Sequence, residues 1–299
     1  MIMLQVNHLR KQYADKEVIK DIDFQINQDE CAALLGPNGA GKTTIIKMLL
    51  GITKPSGGEI LFEGHRQDKI RHFIGYLPQH PTFYPWMTGK ELLAFMGGLS
   101  GIDKPALSHR MSEMLELVGL SKDGDKRIVT YSGGMKQRLG IAQALIHEPK
   151  LLIMDEPVSA LDPLGRRDML ELLKMIKKQT TILFSTHILH DAEELCNKIF
   201  ILNQGQLLVN GSIDQILLQN QQPIFIIQAP HANEWAPQLV NPAVVESITQ
   251  NENLVKVRVN HIDQGRSWLL DTIHRLKLPI QKFELVQESL EDIFMRMVK

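Results

Sequence analysis

Cys31-Ala-Ala-Leu-Leu-Gly36-Pro-Asn-Gly-Ala-Gly-Lys-Thr43 carries a short apolar run of strand type into the spelling G-x-x-x-x-G-K-[ST]. Thr44-Ile-Ile-Lys-Met-Leu-Leu50 then reads as a helix stopped by Gly51. In that context of strand, glycine-rich turn and helix, successive backbone N–H groups wrap a phosphate and the helix dipole points its positive end at the same anion. Gly36, Pro37, Asn38, Gly39, Ala40 and Gly41 form the cradle, with Thr44 just beyond it. Lys42 adds a point charge on the β and γ phosphates, and the Thr43 hydroxyl is a ligand for Mg²⁺. Kinases, GTPases, helicases and transport ATPases all use this loop, so the chemistry has to be decided by the rest of the chain.

Further along, Leu151-Leu-Ile-Met-Asp155-Glu156-Pro157 is an apolar run that ends in acid. Such a run is a strand buried on both faces, and its tip delivers a carboxylate to the edge of the sheet where open α/β folds bind ligands. Asp155 is placed to hold Mg²⁺, directly or through water, and Glu156 to take a proton from an attacking water. Between the two signals, Tyr131-Ser-Gly-Gly-Met-Lys-Gln-Arg138 precedes the helical pattern Leu139 to Ile146. Ser132, Gly133 and Gly134 make a small-residue turn at a helix N-terminus, suited either to a second phosphate contact or to a plain loop and cap.

Composition narrows the class. The chain has 299 residues, 43% hydrophobic and 22% charged, enough for one large or two unequal globular domains. Thirty-three basic residues against thirty-four acidic give a net charge of −1, so there is no overall basic field for a phosphodiester backbone and nucleic acid is not the expected partner. Cys31 and Cys196 stand far apart in sequence without C-x-x-C spacing, which fits inert buried thiols in a reducing compartment. The N-terminus lacks an apolar core of signal length, and nowhere do about 18 apolar residues run together; the expectation is a cytosolic chain that does not itself span a membrane.

Taken jointly, these motifs closely resemble the ATP-binding cassette (ABC) family over about residues 3 to 215. Tyr131 to Met135 resembles that family's L-S-G-G-Q signature loop, with tyrosine for leucine and methionine for glutamine, and this pair is similar to the branch serving type-two exporters. Tyr13 resembles the aromatic that stacks on adenine, Gln79 the switch glutamine, Ser159-Ala-Leu-Asp162-Pro163 the loop after the carboxylate strand, and His187 in Ser185-Thr-His187 the switch histidine. The resemblance implies a P-loop NTPase ABC cassette over residues 1–220, with a mixed sheet core, an antiparallel β subdomain and a helical subdomain at about 80–147. It implies binding of ATP with Mg²⁺ held by Thr43, Gln79 and Asp155, and hydrolysis assisted by Glu156, His187 and Gln79. It further implies a two-fold homodimer in which Ser132, Gly133, Gly134 and Asp162 of one subunit close over the nucleotide of the other. A separate membrane permease is the implied partner, with the ATPase peripheral on the cytoplasmic face of the cell membrane. Asp162-Pro163 reads equally well as a helix N-cap followed by proline at the first helical position. The alternative function is that of a soluble mechanical or regulatory ABC ATPase not coupled to transport.

Two segments lie outside the shared motifs. His80 to Thr88 gathers Phe83, Tyr84 and Trp86 directly after Gln79, either as core of the helical insertion or as an apolar groove for a short helix of a membrane subunit. Leu218 to Pro223 reads as a polar link to a C-terminal α+β domain at 221–299, with strands at Ile224 to Gln228, Leu254 to Val259 and Ile280 to Val286, and helices at Ser267 to Leu276 and Leu290 to Val298. Ser289 is a plausible cap for the last helix, whose Leu290, Ile293, Phe294 and Met297 form one apolar stripe. That stripe is buried either within its own domain or in a dimerisation or regulatory contact. No catalytic constellation is visible in this domain.

Overall fold

The structure is a computed structural model that describes residues 1–66, 71–159, 161–287 and 289–298. Two compact units make up the chain, Met1–Ile213 and Asp214–Lys299. The sequence places the division at residue 220.

The first unit opens with a long antiparallel pair, β1 (Ile2–Tyr13) and β2 (Lys16–Asn27), followed by β3 (Cys31–Leu35), helix α1 (Lys42–Leu49), β4 (Gly57–Phe62), β5 (His65–Arg66) and β6 (Ile74–Leu77). Three helices come next, α2 (Gly89–Leu99), α3 (Lys104–Leu117) and α4 (Gly133–Leu145), and all three begin at capped ends. Thr88 and Glu91 form a reciprocal capping box, Asp103 accepts the Ala106 amide, and Ser132 accepts the Met135 amide. The unit then alternates strand and helix: β7 (Leu151–Asp155), α5 (Pro163–Ile176), β8 (Thr181–Thr186), α6 (Leu189–Leu195), β9 (Lys198–Asn203) and β10 (Gln206–Ser212). Helix α7 (Ile213–Gln219) follows them.

Two sheets result. One has the order β10-β9-β3-β8-β7-β6 and is parallel apart from the β9–β10 hairpin; the other, β2-β1-β4-β5, is antiparallel. Every residue of β3, β7 and β8 is buried, as continuous apolar strands covered on both faces must be. Parallel pairing sends β3, β6, β7 and β8 in one direction, so the segments after all four emerge at the same edge of the sheet. That register brings the phosphate loop, Gln79, Asp155 with Glu156, and Ser185 to His187 to one place. It also corrects the separation of the cysteines: Cys31 at the start of β3 and Cys196 at the C-cap of α6 are both buried free thiols with Sγ atoms 3.2 Å apart. Burial pushes the Cys196 thiol well up, which agrees with an inert pair.

The second unit is an antiparallel sheet of order β12-β13-β11-β14, built from β11 (Gln221–Gln228), β12 (Val245–Asn251), β13 (Leu254–Val259) and β14 (Lys282–Gln287). Besides α7, which begins at the boundary and lies in this unit from Asp214 on, its helices are α8 (Ala232–Trp235), α9 (Ile262–Arg275) and α10 (Leu290–Val298). Phe225, Ile227, Trp235, Val255, Val257 and Leu269 are buried in its core. Leu290 and Ile293 of α10 are buried while Phe294 and Met297 are partly so, and Ser289 caps the helix through the Asp292 amide.

Three differences from the sequence reading have physical causes. Leu218 to Pro223 is not a link: α7 runs to Gln219 and β11 begins at Gln221, with an irregularity between Gln221 and Phe225 that accommodates the proline. Strand β12 is an edge strand in which only Val245 and Ile248, three positions apart, are partly buried among exposed polar residues, so it offers no alternation to read. Helix α9 starts five residues earlier than expected because Gly265, which reads as a breaker, lies where a Cβ would come within 2.6 Å of Val259. There, glycine allows close packing rather than ending a helix.

Candidate nucleotide site

The turn between β3 and α1 needs glycine for steric reasons that have nothing to do with ligand. A Cβ on Gly36 would stand 2.3 Å from the Leu202 carbonyl oxygen, and Gly41 has φ 114° with Ile19 Cδ1 2.6 Å from the place of a Cβ. Gly41 caps α1 without any side-chain hydrogen bond, and no acidic residue occupies the first turn. The amides of that turn therefore face an anion-favouring field. A cleft of ≈ 200 Å³ lies over them, lined by Val18, Pro37, Asn38, Gly39, Ala40, Gly41, Lys42, Thr43, Thr44, Gln79 and Glu156. Pockets that enclose a whole drug-sized ligand run from about 300 Å³ upward, so this cleft suits the polyphosphate end of a nucleotide and leaves the rest outside it.

Charge in the cleft is arranged around Glu156. Lys42 Nζ lies 3.3 Å from Glu156 Oε1, with both side chains more than nine-tenths buried, and it also donates to the Gly36 and Pro37 carbonyls at 2.7 and 3.3 Å. His187 Nδ1 stands 2.8 Å from Glu156 Oε2. An ionised carboxylate only accepts, so in this contact the ring donates through Nδ1–H. One carboxylate thus bridges the phosphate-loop lysine and the histidine after β8. The backbone of Glu156 is left-handed, φ 49°, and its amide donates to Ser185 Oγ at 2.9 Å. The Ser185 hydroxyl in turn donates to Asp155 Oδ1 at 2.6 Å.

The expected residues fall into two groups. Pro37 to Thr44, Gln79 and Glu156 line the cleft; Gly36 begins its loop, and Asp155 and His187 are tied to it by the hydrogen bonds above. Tyr13, Ser132, Gly133, Gly134 and Asp162 are not among the lining residues. Tyr13 is about half exposed at the end of β1, with Lys11 Nζ 4.5 Å from its ring centroid. Ser132 and Asp162 both act as helix N-caps, Asp162 accepting the Gly165 amide at 3.1 Å before Pro163 at the first helical position. Ala160, within the Ser159 to Pro163 loop, lies outside the described residues.

Tyr131, the departure from leucine in the signature loop, is buried and donates its hydroxyl to the Asp123 carbonyl at 2.7 Å; burial raises its phenol above the ordinary value. Tyr84 and Trp86 are exposed, at 52% and 65%, with ring centroids 5.0 Å apart. The reading of these two rings as core is therefore not what the structure has. Sequence reasoning missed the hydrogen bonds of Ser185, whose only signal was its place beside Thr186 and His187, and Val18, which carries no motif at all.

Residues 19–159 match the family described as ABC transporter, and residues 211–298 match the ATP-binding protein DrrA1-3-like C-terminal domain. Along the whole chain there is similarity to the ABC transporter ATP-binding protein YxlF of Bacillus subtilis, at 45% identity over 297 residues, covering 99% of each protein. The linearmycin resistance ATP-binding protein LnrL of the same organism is 38% identical over 215 residues, covering 70% of this chain and 69% of that one. Among solved structures, cbiO1 from Clostridium perfringens, part of the ABC transporter complex cbiONQ, superposes with a TM-score of 0.68 at 30% identity, covering 73% of this chain and 91% of that one. With the glycine-rich loop after β3, the acids at the end of β7 and His187 after β8 converging on one sheet edge, and with a relative matched from end to end, this chain belongs to the ABC transporter family as an ATP-binding, ATP-hydrolysing subunit.

Proposed function

We propose that the chain powers an exporter as one half of a two-fold ATPase dimer seated on a separate permease. The observation that carries this reading is the position of Glu156 between Lys42 and His187. A γ-phosphate entering the cleft competes with Glu156 for Lys42, which frees that carboxylate to orient a water in line with the phosphorus and accept its proton. His187 then donates a ring N–H to a γ-phosphate oxygen, which only accepts, and Gln79, just beyond β6, senses the same group.

Thr43, Gln79 and Asp155 are the proposed holders of Mg²⁺. A hydroxyl, an amide and a carboxylate supply the oxygen donors that a hard cation selects, and Ser185 fixes one oxygen of Asp155. The cation, when bound, neutralises charge developing between the β and γ phosphates. Lys42, the loop amides and Glu156 do the remaining work by binding, orienting and deprotonating.

Support for a dimer comes from incompleteness. The cleft encloses only the phosphate end of a nucleotide, and Ser132, Gly133 and Gly134 on the same chain do not line it. A second copy is the natural source of the missing wall. Tyr13 is assigned to the adenine. Exposed Tyr84 and Trp86, with exposed Val129 whose amide donates to the Pro85 carbonyl at 3.1 Å, form an apolar patch next to Gln79 in sequence, and we assign it to a helix of the permease. Among the described residues no helix is long and apolar enough to cross a membrane; we assign the spanning part to the separate permease and this chain to a peripheral position on its cytoplasmic face. Export is favoured by the resistance function in the name of LnrL and by similarity to a protein named Nod factor export ATP-binding protein I.

The test is Glu156→Gln. The variant should bind ATP as the wild type does, dimerise on adding ATP, and turn over about 10²- to 10⁴-fold more slowly, the range for loss of a general base. Near wild-type turnover would remove Glu156 from the role.

A further inference from the structure

Ser185 occupies a position that no motif of the family reading assigns. It is fully buried in β8, directly abreast of Asp155 in the parallel β7–β8 register. Its hydroxyl is saturated in one direction: it accepts the Glu156 amide at 2.9 Å and donates to Asp155 Oδ1 at 2.6 Å. An ionised carboxylate cannot donate, so the single hydroxyl hydrogen has to go to Asp155 and the lone pairs are left for the amide. The Ser185 carbonyl oxygen stands 3.2 Å from the same amide and reinforces the anchor. What this anchor holds is unusual, because Glu156 is a long side chain on a left-handed backbone, φ 49°, a conformation that persists where the surroundings over-determine it.

We propose that Ser185 is a positioning residue for ATP hydrolysis. It orients one carboxylate oxygen of Asp155 and fixes the backbone turn that brings the Glu156 carboxylate to Lys42 and His187. A hydroxyl at the end of the neighbouring strand can reach both acids at once because they are consecutive, one the last residue of β7 and the other the first beyond it. This inference rests on the roles given to Asp155 and Glu156 above. Outer contacts of this kind are worth about 10- to 100-fold in metal affinity or activity when removed.

Ser185→Ala, Ser185→Thr and Glu156→Gln are compared in the full chain, together with the double variant Ser185→Ala/Glu156→Gln. At saturating Mg²⁺, Ser185→Ala should lower kcat by about 10- to 100-fold with KM for ATP nearly unchanged. Binding of a fluorescent ATP analogue in EDTA should match wild type, while the Mg²⁺ concentration that half-saturates the tightening of that binding should rise by a similar factor. Ser185→Thr should restore both, since it returns the hydroxyl. In the Glu156→Gln background the Ser185→Ala loss of turnover should largely disappear, as for residues that act as a unit. A Ser185→Ala protein with wild-type kcat and Mg²⁺ dependence overturns the proposal. So does one whose EDTA binding and melting temperature fall in step with kcat, which would make Ser185 purely structural. If Glu156→Gln itself keeps full turnover, the underlying assignment of the base has failed instead.

Discussion

Replacing Arg166 by alanine should strongly destabilise the cassette unit, because it removes the partner of a buried carboxylate. Arg166 on α5 donates through Nε and Nη2, at 2.8 and 2.5 Å, to Asp191 Oδ1 on α6. The Asp191 side chain is fully buried while that of Arg166 is 29% exposed, and Asp191 Oδ2 has no hydrogen-bond partner among the described residues. Burial already raises the Asp191 carboxyl above its ordinary value, with the hydrogen bond and charge of Arg166, and the nearby His190, opposing it and Glu194 adding to it. Without Arg166, an uncompensated carboxylate is left in the interior, a loss of about 3–5 kcal/mol out of a total stability of about 5–15. Asp191→Asn should cost less, about 1–3 kcal/mol, because the partly exposed guanidinium can rehydrate and the amide oxygen still accepts.

The pH dependence has a definite sign. A carboxyl whose folded pKa lies above its unfolded one, about 3.9, holds its proton in the folded state after the unfolded chain has lost it, so stability falls as pH rises between those two values. Arg166→Ala removes groups that lower the folded value, which extends the window upward. The deficit of the variant should therefore be largest near neutral pH and shrink on acidification. Urea unfolding of wild type, Arg166→Ala and Asp191→Asn at several values from about pH 5 to about pH 8 measures it. Equal losses for the two substitutions, or an Arg166→Ala deficit that does not change across that range, would refute the reasoning.

Tyr131→Phe removes the 2.7 Å hydroxyl donor from the part-buried Asp123 carbonyl, which keeps the Lys126 amide at 2.9 Å, and should cost about 0.5–1.5 kcal/mol in thermal or urea unfolding, with ATP affinity unchanged. Trp86→Ala should weaken co-purification with the permease while ATP binding by the isolated subunit stays at wild-type strength; undiminished co-purification would take the docking role from the Tyr84–Trp86 patch.

Much of the site was legible because its motifs lie on strands whose burial is written as unbroken apolar runs. Cys31 to Leu35 and Leu151 to Asp155 are recovered as β3 and β7 with the same residues, and the helix after the phosphate loop starts at Lys42. The second unit was less legible. Edge strand β12 buries too few side chains to impose a period, and Gly265 hides the first turn of α9 because a packing glycine and a helix-breaking one look alike in sequence.

By itself, the sequence determined the fold class, the phosphate cradle, the two consecutive acids and the family, since each rests on local residue types at fixed spacing along one strand or turn. The tertiary structure decided whatever depends on which strands lie side by side. Only the β3–β8–β7 order sets Glu156 against both Lys42 and His187, places Ser185 abreast of Asp155, and brings two cysteines 165 positions apart into contact. Strand order is fixed by long-range burial of two-sided sheets, and no spacing within the chain encodes it directly.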